Sequence, residues 1–154
     1  MELADLLKPE AIRVNGVVKS KKRLFQDLAE LVAKVHRIPA DEAVDALQER
    51  ESLGPTGVGH GVALPHARVE GLEKVVGVFI RLEKPMDYGS VDRAPVDLVF
   101  ALFAPRDAGV EHLKALALVS RRLRDTGLCA KLRANVEPDT LYAILTSNTD
   151  TKAA

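Results

Sequence analysis

Residues 50–71 have the sequence RESLGPTGVGHGVALPHARVEG, and they decide the fold because they separate a helical pattern from a series of apolar strand patterns. Glycines at 57, 59 and 61 leave alternate positions without a side chain, so another segment can approach this backbone closely. The apolar run Val62 to Leu64 then predicts a short strand that enters the core. Pro65 removes the next backbone donor, so we expect His66 to lie where the strand breaks, backed by the core and facing solvent.

An imidazole in that position can act as a base, a metal ligand or a nucleophile, whereas the plain alternative is a surface histidine after a proline. Two cations close in sequence, Arg50 and Arg68, favour a chemical role for His66 over a plain surface position. Arg50 falls in the last turn of a helix predicted from Pro39 to near Ser52. Its guanidinium either complements the negative end of that helix or presents a planar fork to a phosphate, and the spacing leaves both interpretations open.

Two apolar runs beyond this stretch, VVGVFIRL at 75–82 and VDLVFALFA at 96–104, are typical of strands covered on both faces. Another strand, with a turn or bulge at Asn15-Gly16, is predicted for 11–18. The pattern therefore predicts an α/β domain in which helices flank a sheet. Helices are predicted from a cap at Ser20 to about Val35, from Pro39 to Ser52, and over 110–124, 128–133 and 140–146.

Length and composition suit one soluble domain. A chain of 154 residues with 47% hydrophobic content can bury a single core, which we assign to residues 1–147, followed by a flexible tail at 148–154. Lys plus Arg and Asp plus Glu both number 22, so composition gives no pull toward nucleic acid or an anionic membrane. The single cysteine, Cys129, suits a reducing compartment. The start of the chain lacks a signal-peptide pattern, so we expect a cytoplasmic protein without membrane insertion.

Three polar features have two interpretations each. The cluster KSKKR at 19–23 is either a solvated helix end or a docking site for an acidic partner, and it lacks the aromatic residues of a nucleic-acid site. Asp87 and Asp92 lie in a turn-rich link, where their ordinary role is turn formation. His112 is predicted in the first turn of the helix at 110–124, where it is either simply exposed or placed to meet an anion at the positive helix end.

The residues favour phosphoryl transfer over other chemistry. The four histidines suggest a metal site, but the chain has neither HExxH nor CxxC, so this remains the weaker hypothesis. GxSxG, a phosphate-binding loop and a dinucleotide glycine pattern are also lacking. A neutral imidazole can attack phosphorus directly, and that reaction mainly requires positioning and charge stabilisation. His66 would be the nucleophile, Arg50 would supply charge, and His112 would donate a hydrogen bond to a phosphoryl oxygen.

Four segments carry a resemblance to a known family. They are SKKRLFQDLAEL at 20–31, RESLGPTGVGHGVALPH at 50–66, the block VGVFIRLEKPMDYGSVDRAPVDLVFALFAP at 76–105, and EHLKALALVSRRLRD at 111–125. Together they resemble the fructose/mannitol-type enzyme IIA domains of the bacterial sugar phosphotransferase system. The combination of TGxGxG, ALPH and a later EHL helix is far more specific than any one piece. With no enzyme IIB or membrane IIC segment attached, the chain is most similar to the free-standing nitrogen-regulatory members.

The resemblance implies a mixed sheet between helices on both faces. It also implies that His66 is phosphorylated at Nε2, that His112 supports the phosphate and that Arg50 is the active-site arginine, without a cofactor or metal. The implied partners are an HPr-like phosphocarrier donor and regulatory targets, such as a potassium transporter or a sensor kinase. Nitrogen-regulatory members often have asparagine at the position of His60, which suggests a pH-sensitive neighbour at the mouth of the site.

Two other functions fit the same residues. One is a sugar-transport enzyme IIA that passes its phosphoryl group to a separate enzyme IIB. The other is an interaction module that keeps the fold but does not transfer phosphate. The presence of all three of Arg50, His66 and His112 favours transfer.

Overall fold

The computed structural model describes residues 1–147, so the predicted flexible tail at 148–154 lies outside the described residues. Within this range six helices and six strands alternate irregularly along the chain. In order they are α1 (Leu3–Leu6), β1 (Leu7–Asn15), α2 (Lys21–His36), α3 (Ala40–Ser52), β2 (Gly57–Gly59), β3 (Val62–Ala63), β4 (His66–Val69), β5 (Val76–Met86), β6 (Val96–Pro105), α4 (Val110–Leu123), α5 (Thr126–Arg133) and α6 (Pro138–Thr146).

The strands form one mixed sheet in the order β1-β5-β6-β3-β2, with β4 also paired to β6. The pairs β1–β5, β3–β6 and β4–β6 are parallel, whereas β5–β6 and β2–β3 are antiparallel. The two predicted apolar runs are β5 and β6, which lie side by side in the centre of the sheet. Their buried residues continue on both faces, as the near-continuous apolar sequence predicts.

The helices form two groups around this sheet. Helices α2 and α3 contact each other, and they also reach β5 and β4 respectively. Helices α1, α4, α5 and α6 form the second group, which contacts β1 and β6. The two groups account for the burial of β5 and β6 on both faces, so the predicted α/β fold with a mixed sheet flanked by helices is confirmed.

The stretch at 57–69 differs from its prediction in one respect. Leu64 and Pro65 do interrupt the strand, but the chain resumes pairing with β6 at His66. Val62 pairs with Leu98 and His66 pairs with Leu102, so the register along β6 is the same on both sides of the interruption. A single proline can remove one donor without shifting the register, since Pro65 still accepts a hydrogen bond from Leu102 N at 3.0 Å. His66 therefore begins a strand and is not left at the end of one.

Other boundaries differ from the sequence predictions by a few residues. Strand β1 spans Leu7–Asn15 instead of 11–18, and the predicted irregularity falls earlier, as a bulge between Leu7 and Ile12. Ser20 caps α2 as predicted, because its Oγ accepts a hydrogen bond from Arg23 N at 3.0 Å. The short strand β2 was not predicted, since glycine-rich sequence has little strand propensity. Among the described residues, none of the helices combines the length and apolar character needed to span a bilayer.

Candidate functional site

His66 is held by hydrogen bonds on both ring nitrogens. Its Nδ1 lies 2.9 Å from the carbonyl oxygen of Leu64, and its Nε2 lies 3.2 Å from Nε of Arg50. A carbonyl oxygen can only accept and a guanidinium N–H can only donate, so the proton is on Nδ1 and the lone pair is on Nε2. This tautomer leaves Nε2 as the nitrogen with nucleophilic character.

Arg50 reaches His66 from the last turn of α3. Its Nε donates to His66, while its Nη1 donates to the carbonyl oxygen of Gly54 at 3.1 Å, just beyond the end of the helix. Gly54 has a φ of 156°, within the range that favours glycine, so the chain turns there and returns its carbonyl toward the guanidinium. The side chain therefore satisfies a carbonyl near the helix end and also faces the imidazole, while its role toward a phosphate stays a prediction.

His112 approaches the same imidazole from the first turn of α4. Its ring centroid lies 5.6 Å from that of His66, and the two rings are inclined at 74°. The residue is 6% exposed, and its Nε2 is buried without a hydrogen-bond partner among residues 1–147. Burial, followed by the nearby charges of His66 and Arg68, lowers the pKa of His112 to about 4. At neutral pH this imidazole is therefore uncharged.

The pKa of His66 is also lowered from its ordinary value, chiefly by burial. The hydrogen bond to Leu64 opposes this shift and the charge of Arg50 adds to it. Both imidazoles are consequently neutral at physiological pH. The lone pair on Nε2 of His66 is therefore available at that pH. The arrangement can present a neutral nucleophile beside a cation and a second neutral ring.

The three side chains border one open cleft of about 470 Å³. Three guanidinium groups, from Arg50, Arg68 and Arg106, line it together with a single carboxylate from Glu49. Arg68 Nη1 donates to the carbonyl oxygens of Arg106, at 3.1 Å, and Ala108. Because these carbonyls belong to the loop between β6 and α4, Arg68 fixes the loop that leads to His112.

The other predicted features lie elsewhere. His60 is at the β2–β3 turn with a φ of 57°, and it lines a second cleft with Ser120 and Cys129, so the expected neighbour at the mouth of the His66 cleft is not found there. Asp92 has the predicted turn role, accepting from Ala94 N at 3.0 Å, and it also accepts from His60 N at 3.0 Å. Within residues 1–147, the structure has no group of three or more His, Cys, Asp or Glu side chains suited to a metal ion.

A polar cluster beside the cleft was missed by the sequence analysis. It consists of Lys21, Glu51, Thr56 and Tyr88, which are joined by hydrogen bonds around the carboxylate of Glu51. Lys21 belongs to the KSKKR cluster, and its ion pair with Glu51 at 2.9 Å shows that this part of the cluster is not simply solvated. The only sequence signal was the position of Glu51 directly after Arg50, which does not reveal that the carboxylate is buried.

Comparison with known proteins identifies the class to which this fold and cleft belong. The family model described as "Phosphoenolpyruvate-dependent sugar phosphotransferase system, EIIA 2" matches residues 5–148. The chain therefore belongs to the type 2 enzyme IIA family of this phosphotransferase system, whose members are phosphotransfer components. The family resemblance inferred from the sequence is confirmed.

Several relatives are nitrogen regulatory proteins. The chain is 46% identical over 145 residues to the nitrogen regulatory protein of Bradyrhizobium diazoefficiens, covering 94% of this chain and 95% of that protein. It is 39% identical over 152 residues to the nitrogen regulatory protein of Escherichia coli K12, covering 98% and 93%. The crystal structure of nitrogen regulatory protein IIA-Ntr from Neisseria meningitidis superimposes with a TM-score of 0.85 at 33% identity, over 93% of this chain and 98% of that chain.

Proposed function

We propose that this chain is a regulatory phosphocarrier that accepts a phosphoryl group on Nε2 of His66. The observation that carries the proposal is the hydrogen-bond pair on the His66 ring, in which Leu64 holds the proton on Nδ1 and Arg50 faces the lone pair on Nε2. The donor would be the phosphohistidine of a small HPr-like protein. The family and the nitrogen-regulatory relatives support this assignment.

In the transfer step, the Nε2 lone pair of His66 forms a bond to phosphorus while the phosphorus–nitrogen bond of the donor breaks. The electron pair of the broken bond returns to the donor imidazole. The proton on Nδ1 stays in place and remains bonded to the carbonyl of Leu64, so no proton has to leave the site during transfer. Arg50 turns its N–H groups from Nε2 to the oxygens of the arriving phosphoryl group, where charge accumulates in the transition state.

His112 is suited to stabilise the transferred group. Its buried Nε2 lacks a partner within residues 1–147, and as a neutral ring it can donate one hydrogen bond to a phosphoryl oxygen without pairing as an ion. A charged histidine would bind the phosphate more tightly and would oppose its release. The neutral state thus suits a carrier that must pass the group on or lose it.

The surface around the cleft fits a protein donor. Leu53 and Leu113 line the cleft and are 81% and 66% exposed, so an apolar rim surrounds a cationic interior. Exposed large apolar side chains of this kind are typical of interaction surfaces. A protein bearing a phosphohistidine would cover the rim while its phosphoryl group enters the cleft.

The output of the carrier is a change in protein binding. Phosphorylation adds about −1.5 to −2 charges to the cleft, enough to change the electrostatic fit of a partner that covers it. The proposed targets are regulatory proteins linked to nitrogen or potassium, such as a potassium transporter or a sensor kinase. The cytoplasm, which contains phosphoenolpyruvate, is the compartment in which we place the chain.

Incubation with phosphoenolpyruvate, an HPr-like donor and enzyme I, the protein that phosphorylates such a donor from phosphoenolpyruvate, tests the proposal when it is followed by intact-mass measurement. We expect one acid-labile phosphoryl group on the wild-type chain, none on His66→Ala, and slower labelling of His112→Ala. Stoichiometric labelling of the His66→Ala variant would contradict the assignment. Unlabelled wild-type chain would instead favour an interaction module without transfer.

A further inference from the structure

We propose that Glu51 is the positioning residue of this site, because its carboxylate supports both the guanidinium of Arg50 and the imidazole of His66 in the geometry for phosphoryl transfer. Glu51 does not line the cleft and does not touch the reacting atoms. The inference rests on the proposed function and adds a residue that acts through its neighbours.

The carboxylate of Glu51 is buried and fully engaged. Its side chain is 8% exposed, and Oε2 accepts from Lys21 Nζ at 2.9 Å and from Thr56 N at 3.1 Å. Oε1 accepts from Thr56 Oγ1 at 2.6 Å and from Tyr88 Oη at 3.4 Å. A buried carboxylate is costly unless it is paired and hydrogen-bonded, so these contacts hold it in one position.

The first support runs from Glu51 to Arg50. The segment 51–56 runs from the last turn of α3 to the residue before β2, and the bonds between the Glu51 carboxylate and Thr56 join its two ends into a closed loop. Gly54 lies inside this closed loop, and its carbonyl accepts the Nη1 hydrogen bond of Arg50. Because the joined ends fix the loop, they also fix the carbonyl that orients the guanidinium.

The second support runs from Glu51 to His66. The carbonyl of Thr56 accepts a hydrogen bond from Leu64 N at 2.9 Å. The carbonyl of Leu64 in turn accepts from Nδ1 of His66 at 2.9 Å, which is the bond that selects the tautomer. Glu51 therefore holds Thr56 by its N–H and hydroxyl, and Leu64 holds Thr56 by its carbonyl. Two residues, Thr56 and Leu64, thus connect the carboxylate of Glu51 to the imidazole of His66 through hydrogen bonds.

A change that removes the carboxylate charge should loosen both supports together. Glu51→Gln preserves the size of the side chain but weakens the bond to Lys21 and replaces one acceptor oxygen with a donor. Misplacement of reacting groups by about 1 Å can slow a reaction by about 100-fold, so we expect phosphorylation of His66 in this variant to be at least ~10-fold slower. We also expect its Nδ1–H tautomer to be less populated.

The experiment measures two quantities in the purified full chain. One is the rate of His66 phosphorylation at fixed concentrations of phosphoenolpyruvate, enzyme I and HPr-like donor, and the other is the ¹⁵N NMR tautomer ratio of His66 in the unphosphorylated chain. Asp45→Asn, which removes an exposed carboxylate from the same helix, is the matched control and should keep wild-type values. A folded Glu51→Gln variant with wild-type rate and tautomer ratio would overturn the proposal.

A second variant tests the positioning role of Glu51 if Glu51→Gln does not fold. Thr56→Val removes the hydroxyl that bonds both Glu51 and Tyr88, while the Thr56 N–H bond to Glu51 and the ion pair with Lys21 stay. Slower phosphorylation with a weakened tautomer preference supports the inference, and wild-type behaviour in both measurements overturns it. If even the wild-type chain is not phosphorylated, the proposed function fails, while the tautomer ratio still tests the positioning role.

Discussion

The two ring nitrogens of His66 have different partners, and that difference defines the chemistry available at this residue. Leu64 requires a proton on Nδ1, and Arg50 requires a lone pair on Nε2. From the sequence, His66 is predicted as the nucleophile and, through the family resemblance, Nε2 as its reactive nitrogen, and both stay predictions. The sequence could not show which groups bond the two nitrogens, because the carbonyl that fixes the proton belongs to Leu64, in the interruption between β3 and β4.

The buried neutral state of His112 should appear as pH-dependent stability. Its pKa is about 4 in the folded chain against about 6.5 when unfolded, so its contribution is fully present above pH 6.5 and is lost as the pH falls through 4. Between pH 7 and 4.5, we expect urea denaturation to show that the wild type loses about 2 kcal/mol more than His112→Gln.

An NMR titration of the His112 ring provides the control for this prediction, since the midpoint should lie near pH 4. The contrary result would be equal losses of stability in the wild type and the His112→Gln variant, together with a titration midpoint of the His112 ring near the ordinary histidine pKa. It would show that burial does not oppose protonation of His112.

The elements of the sheet explain how a proline can precede the candidate nucleophile without disrupting the fold. Strands β3 and β4 pair with β6 in one unbroken register, and the interruption at Leu64-Pro65 affects only local hydrogen bonds. The apolar runs and helical spacings predicted β5, β6 and the longer helices well, because their burial is visible in composition. Strand β4 is short and depends on pairing with β6, which is distant in sequence, so local patterns do not reveal it. Strand β2 pairs with the neighbouring β3, but its three residues are glycine-rich and have little strand propensity.

The contact between β5 and β6 limits what can stand at Gly77. A Cβ at this position would lie 2.5 Å from Cε1 and 3.0 Å from Cζ of the fully buried Phe100. The aromatic ring cannot move freely in a packed core, so Gly77→Ala should destabilise the chain by about 1–3 kcal/mol in urea denaturation.

Gly16→Ala is the matched control for that substitution. Its Cβ would meet Glu83 Oε1 at 3.5 Å, an ordinary contact at an exposed position, so its effect should be within about 0.5 kcal/mol. Equal stability of the two variants would show that the β5–β6 contact has room for a methyl group.

At the scale of the whole molecule, the cleft is assembled from three elements that are remote in sequence. Arg50 comes from the end of α3, His66 from the start of β4 and His112 from the start of α4. Family motifs were sufficient to select these residues, because each motif is local. The cluster around Glu51 joins α2, α3 and the loops before β2 and β6, so no single stretch of sequence contains it.

The most direct test of the account is long-range ¹H–¹⁵N NMR of the chain after phosphorylation by the HPr-like donor, with the two nitrogens of each histidine resolved. We predict that phosphorus is bonded to Nε2 of His66, that Nδ1 of the same ring stays protonated, and that His112 carries no phosphoryl group. A phosphoryl group on Nδ1 of His66, or on His112, would contradict the role assigned to the hydrogen bond that Leu64 accepts and the hydrogen bond that Arg50 donates.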